Sequence, residues 1–309
     1  MTRATLVHRK KTIEGVSLSG IVGNMGYHYS DIEIYSDGMV DAWGLNDLSQ
    51  FAKRFSAKSL RVLCRMPDGE ALGIHGLGSY RVVSGSWTHT PESYLRLVNK
   101  TLGKLNPDLA NVYQITQREI DLNNKRRVIH ASWSKPYRVT SEFGHVTEEG
   151  KKTHVFMVDG DRKLLVDVCV FKSGTVRITH PELALEIQLD ELNALWKDRR
   201  FFTSIENPSE VSCGNLGVLT LVNDGYCVDA EAKLQEIHAE HESLQGHDRL
   251  EICRQAYHKY LEDPERGTRE KLRESYERVP EHMRRYLGDM DSHDSDYRRV
   301  LYTEEKREV

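Results

Sequence analysis

The feature that most constrains this chain is an internal duplication. Asp31–Ala42 aligns without a gap on Asp167–Ile178, and a period of this kind decides the architecture before any single motif does. In both copies β-branched and aromatic residues run up to a Ser/Asp-Gly pair. There Gly38 or Gly174 supplies the positive φ that a tight hairpin turn asks for, and a second strand follows. The likeness continues: Asp47–Phe55 matches Glu191–Lys197 with Arg199–Phe201 as a short helix, and Gly76–Val83 matches Asn215–Val222 as a strand. A closing helix begins at Thr90-Pro91-Glu92 in one copy and near Asp229 in the other, the latter with Ala232, Leu234 and Ile237 inward. A capping hydroxyl followed by proline marks the first of these helix starts.

Each copy therefore reads strand, strand, short helix, strand, strand, helix. The expected fold class is α+β: two tandem modules, each an antiparallel sheet with helices on one face, over residues 12–105 and 150–245. Residues 106–149 would hold a connecting strand, Arg127–Trp133, and a polar linker from Ser141. From Asp248 to the end at 309 the composition turns to charged helix. Narrow apolar stripes, such as Cys253 with Tyr257 and Leu272 with Tyr276, are broken by Pro264 and Pro280, which predicts about three short helices.

Composition limits what such a chain can do. With 39% hydrophobic and 29% charged residues over 309 positions and a mean hydropathy of -0.58, it can build real cores and is not a disordered or fibrous polymer. No apolar run approaches the roughly 18 residues of a membrane span. The basic start lacks the apolar segment of a signal peptide, and the five scattered cysteines show no CxxC pair. A reducing cytoplasm is the expected compartment. Basic and acidic residues number 19 and 15 in residues 1–150, and 24 and 32 in 151–309, so neither half has the charge of a dedicated nucleic-acid binder. The short runs Arg9-Lys10-Lys11 and Lys125-Arg126-Arg127 leave phosphate contact as a minor alternative.

Candidate functional residues are few. Asp289, Asp291 and Asp294 crowd carboxylates together ahead of Arg298 and Arg299. They could hold Mg²⁺ or Mn²⁺ with the arginines steadying a phosphate, or cap a final helix starting near Ser295. His75 stands in a glycine-lined turn, Ile74-His75-Gly76-Leu77-Gly78, and has no counterpart in the second copy. His238 and His241 lie three apart but lack the HExxH pattern of a zinc protease. Gly20–Gly26 has neither the GxGxxG spacing nor the helix of a phosphate-binding turn. Trp43, after the first hairpin, is expected in the core; if solvent-facing, it would mark a binding surface.

The segments Glu14–Gly26, Asp37–Trp43, Pro280-Glu281-His282 and Tyr286–Asp291 resemble a group of bacterial proteins of uncharacterised activity that carry this duplicated module and helical tail. The resemblance covers most of the chain. It implies the architecture and a bacterial cytoplasmic origin and transfers no site residue. A duplicated fold without a duplicated set of acid, base and electrophile points to a non-enzymatic scaffold that binds another macromolecule, most simply a protein. The alternative is a metal-assisted hydrolase of nucleic acid or a nucleotide acting through the C-terminal aspartates.

Overall fold

The computed structural model describes residues 12–117, 137–140, 149–288 and 295–302. These form two compact units, one within residues 1–75, 80–147 and 208–224, the other within 76–79, 148–207 and 225–309. The predicted strand Arg127–Trp133 and most of the linker after Ser141 lie outside the described residues.

The first unit opens with β1 (Thr12–Gly23) and β2 (Tyr27–Tyr35). Short strands β3 (Met39–Asp41) and β4 (Leu45–Asp47), helix α1 (Leu48–Lys53) and a 3-10 turn at Arg54–Ser56 follow. Next come β5 (Arg61–Leu63), β6 (Ala71–Ile74), β7 (Gly78–Trp87), helix α2 (Pro91–Leu105) and β8 (Tyr137–Thr140). The second copy supplies β9 (Gly150–Asp159), β10 (Arg162–Phe171), β11 (Thr175–His180), β12 (Leu183–Gln188), α3 (Leu189–Lys197), β13 (Phe201–Phe202), β14 (Ser209–Ser212), β15 (Gly217–Cys227) and α4 (Ala230–Leu244). The tail holds α5 (Arg249–Glu262), α6 (Arg266–Arg278), a 3-10 helix at Glu281–Tyr286 and α7 (Ser295–Tyr302).

The duplication is visible in the hydrogen bonding. Gly38 and Gly174 have φ of +81° and +86°, and their amides donate to Tyr35 O and Phe171 O at 2.9 Å in both copies. Around them β1, β2, β3 and β4 pair in succession, with β5 on the far side of β1. In the other unit β9, β10, β11 and β12 pair in the same succession, with β13 on the far side of β9. Helices α2 and α4 pack on the equivalent first two strands of their copies. Thr90 caps α2 through a capping box with Ser93, and Asp229 caps α4, as the sequence predicts.

Two features depart from the expected pattern. The first unit's sheet, ordered β5-β1-β2-β6-β7-β15-β14, is not purely antiparallel: β2 with β6 and β1 with β8 run parallel. After β5 the chain crosses from one side of the β1–β2 hairpin to the other, and such a crossover produces a parallel pair. The compact units also cut across the repeats, since β14 and most of β15 belong with the first unit.

The apolar stripes of the tail meet one another. Cys253, Tyr257, Leu272, Tyr276, Val279, Leu287, Tyr297, Val300 and Leu301 form one buried cluster, in which the Tyr257 and Tyr297 rings stack at 4.3 Å. Arg284 lies 4.5 Å from the Tyr276 ring centroid, adding a cation–π contact to the area burial. No helix among the described residues is long and apolar enough to cross a membrane.

Candidate functional site

The expectation that Trp43 is a core residue is not met. Its side chain is 46% exposed, because the β3–β4 connection turns too tightly to aim it inward. Ala42 N donates to Gly44 O at 3.3 Å, Asp41 Oδ1 accepts from Gly44 N at 2.9 Å and Arg54 donates to Ala42 O at 2.9 Å. Ala42 takes the buried position instead, which leaves Trp43 at the tip with φ +58°.

A second apolar tip lies in the same unit. The β1–β2 turn carries Met25 fully exposed at 106%, also on left-handed backbone with φ +51°. His28, on β2, joins the two turns. Its Nε2 is 3.3 Å from Asn24 O, and its ring lies 5.1 Å from that of Trp43. Gly73, the β6 partner of His28, makes room for this ring: a Cβ there would sit 3.2 Å from Nδ1. Left-handed backbone costs a bulky side chain roughly 1–2 kcal/mol where glycine would be at ease. Leu109 is also exposed on left-handed backbone, at 55% and φ +48°; what sets Met25 and Trp43 apart is that His28 contacts both of their turns.

The second unit holds a buried ionic cluster that sequence reasoning missed. On α4 the sequence predicts Ala232, Leu234 and Ile237 inward. The buried residues are Lys233, Glu236, Ile237 and Leu244, with Ala232 and Leu234 half-buried. Lys233, 0% exposed, donates to Gly76 O at 3.0 Å, to Glu236 Oε1 at 2.8 Å and to Thr153 Oγ1. Thr153 donates onward to Glu236 Oε1 at 2.9 Å, and the other carboxylate oxygen lies 2.7 Å from His282 Nε2. Burial alone pushes the Glu236 carboxyl up, but the bonds from His282 and Lys233 overcome it and hold the group down to about 2. Burial also pulls the Lys233 ammonium below its ordinary value, against the pull of Glu236. His282 Nδ1 is buried with no hydrogen-bond partner among the described residues. Gly76, at φ +73°, is required twice, because a Cβ on it would also stand 2.8 Å from Lys233 Nζ. This cluster ties α4, β9 and the tail's 3-10 helix together.

His75 sits in the predicted turn between β6 and β7 and is exposed, while the neighbouring Gly76 and Gly78 serve packing. Gly78, at φ +143°, faces Tyr226 O so closely that a Cβ would come within 2.4 Å. Asp289, Asp291 and Asp294 lie outside the described residues. Arg298 is exposed, and Arg299 makes a 3.5 Å pair with Asp296 on the half-exposed face of α7. His238 Nε2 is 2.8 Å from Asn193 Oδ1, a bond within the fold.

With this geometry in place, the comparisons fix the family. Residues 3–109 and 138–248 match the model of a domain of unknown function (DUF7638), so the chain belongs to that family. Residues 248–308 match a second domain of unknown function, DUF7639. The first match falls in two segments that each carry one copy of the repeat, and the second takes in the helical tail. No curated protein and no solved structure matches the chain.

Proposed function

We propose that this chain is a non-enzymatic interaction scaffold of the bacterial cytoplasm that binds another protein, with the Met25–His28–Trp43 tip as its contact point. The observation that carries the reading is that His28 joins two turns whose tips are each apolar, exposed and on left-handed backbone. Trp43 and Met25 sit at turn tips where Gly or Asn would fit the backbone better, and each presents apolar surface to solvent. Aromatic residues and methionine are enriched where proteins dock, and a few such anchors carry most of a binding energy. The Lys233–Glu236–His282 cluster supports the same reading, since its charges are spent on holding helices to the sheet.

The test is affinity capture from the host with the full chain, followed by purified reconstitution with the captured protein. Trp43→Gly is expected to weaken that complex at least about tenfold, the scale of one lost anchor, and Met25→Ser to weaken it less. A complex that is equally tight with both variants would refute the assignment of the tip.

A further inference from the structure

A different part of the first unit bears on what kind of segment can be recognised. Strand β5 (Arg61–Leu63) ends the sheet order, and its second edge carries no strand among the described residues. Beside it lies a cleft of about 350 Å³ lined by Phe55, Val62, Leu63, Cys64, Met66 and Pro67, with Arg65 and Pro91 also on its wall. Its floor is apolar: Val62, Cys64 and Met66 are buried, and Cys64 Sγ donates to His89 O at 3.3 Å.

The segment that supplies most of the cleft's lining is rich in cations. Between Asp47 and Asp68 the chain carries five cations and no carboxylate. Arg54 is committed to the carbonyls of Leu60 and Ala42, whereas Lys53, Lys58, Arg61 and Arg65 are exposed. The opposing charges are Asp68 and Glu70 beyond Pro67, and Glu92 beside the wall residue Pro91, whose carboxyl is held below its ordinary value by the bond from Thr90 and, in part, by Arg65.

We propose that β5 and this cleft bind an extended acidic peptide with one bulky apolar side chain. The peptide backbone pairs with the free edge of β5, the apolar side chain enters the cleft, and its flanking carboxylates face Arg61, Arg65 and Lys58. This is strand addition: main-chain hydrogen bonds supply affinity, and a pocket for an alternate side chain supplies selectivity. A nucleic acid would satisfy the cations but has no use for an apolar floor next to a free strand edge. The proposal rests on the scaffold reading in taking the ligand to be protein, but it uses a site separate from Trp43.

The experiment is a fluorescence-anisotropy panel on the full chain. The probes are labelled heptapeptides of alternating β-branched residues with a central Phe or Leu and Asp/Glu flanks, together with the same peptides carrying Lys flanks or a central Ser. A single-stranded oligonucleotide completes the set. Acidic, apolar-centred peptides are expected to bind at least about tenfold tighter than the others, an electrostatic preference that weakens with salt. Arg61→Glu with Arg65→Glu should abolish that preference, methylation of alternate peptide amides should remove binding, and Trp43→Gly should leave it intact.

Equal binding of acidic and basic peptides, tighter binding of the oligonucleotide, or no binding by any peptide would overturn the proposal. If no peptide binds while a partner is still lost in Trp43→Gly, the cleft assignment fails and the scaffold reading stands. If peptides bind as expected while Trp43→Gly keeps its partner, the tip fails instead.

Discussion

Replacing Lys233 by Met keeps the aliphatic stem in place and deletes only the ammonium, which makes it the sharpest probe of the cluster beneath α4. The ammonium serves three acceptors, Gly76 O at 3.0 Å, Glu236 Oε1 at 2.8 Å and Thr153 Oγ1. The Lys233 side chain itself is 0% exposed, and that of Glu236 is 8% exposed. Removing one partner of a buried pair leaves the other charge uncompensated and costs about 3–5 kcal/mol. Lys233→Met should therefore lower the urea midpoint by that amount of unfolding free energy, followed by circular dichroism at neutral pH.

Glu236→Gln removes the opposite charge, and the double variant should be less destabilised than the two single effects added together, by roughly 1–3 kcal/mol of coupling. The same carboxyl also sets an acid limit. Its value falls from an ordinary 4.5 to about 2 in the folded chain, so it contributes stability that is fully present above pH 4.5 and is lost as the pH falls toward 2. At about 1.4 kcal/mol per unit, the loss amounts to about 3 kcal/mol. Glu236→Gln should flatten the stability profile over that window. A Lys233→Met variant costing less than about 1 kcal/mol, or strict additivity in the cycle, would refute the reasoning.

Three further outcomes are expected. Gly38→Ala and Gly174→Ala meet the same left-handed backbone, about 1 kcal/mol each. A Cβ on Gly38 would stand 2.5 Å from Val112 Cγ1, while Gly174 has nothing nearer than 3.7 Å, so thermal unfolding should show Gly38→Ala to be clearly the worse. Trp43→Gly relieves a φ of +58° but gives up the ring contact with His28. Its unfolding midpoint should stay within about 1 kcal/mol of wild type, whereas a loss of about 3 kcal/mol or more would restore Trp43 to the core. Asp47→Ala removes the acceptor for Gln50 N at 2.8 Å and Ile115 N at 2.9 Å. It should cost about 1–2 kcal/mol and raise proteolysis near Ile115, and an unchanged cleavage pattern would argue against that tether.

What the sequence by itself determined is local or periodic. The two hairpin turns, the caps at Thr90 and Asp229 and the stripes of the tail each depend on neighbours a few residues away. Turn glycines, capping side chains and helical spacing register such dependence directly. Tertiary structure decided the rest. Lys233 and Glu236 stand three apart on a charged helix, which reads as a solvated pair. Burial comes from Gly76, Thr153 and His282, brought to them from distant parts of the chain. The only signal in the sequence was that the apolar residues of α4 are too few to cover two strands. Trp43 went the other way: its hydrophobicity argues for the core, but the register of β3 with β4 gives the inward position to Ala42. The parallel pairing of β2 with β6 likewise depends on which side of a hairpin the returning chain takes, a choice made by the packing of whole elements and not by any local pattern.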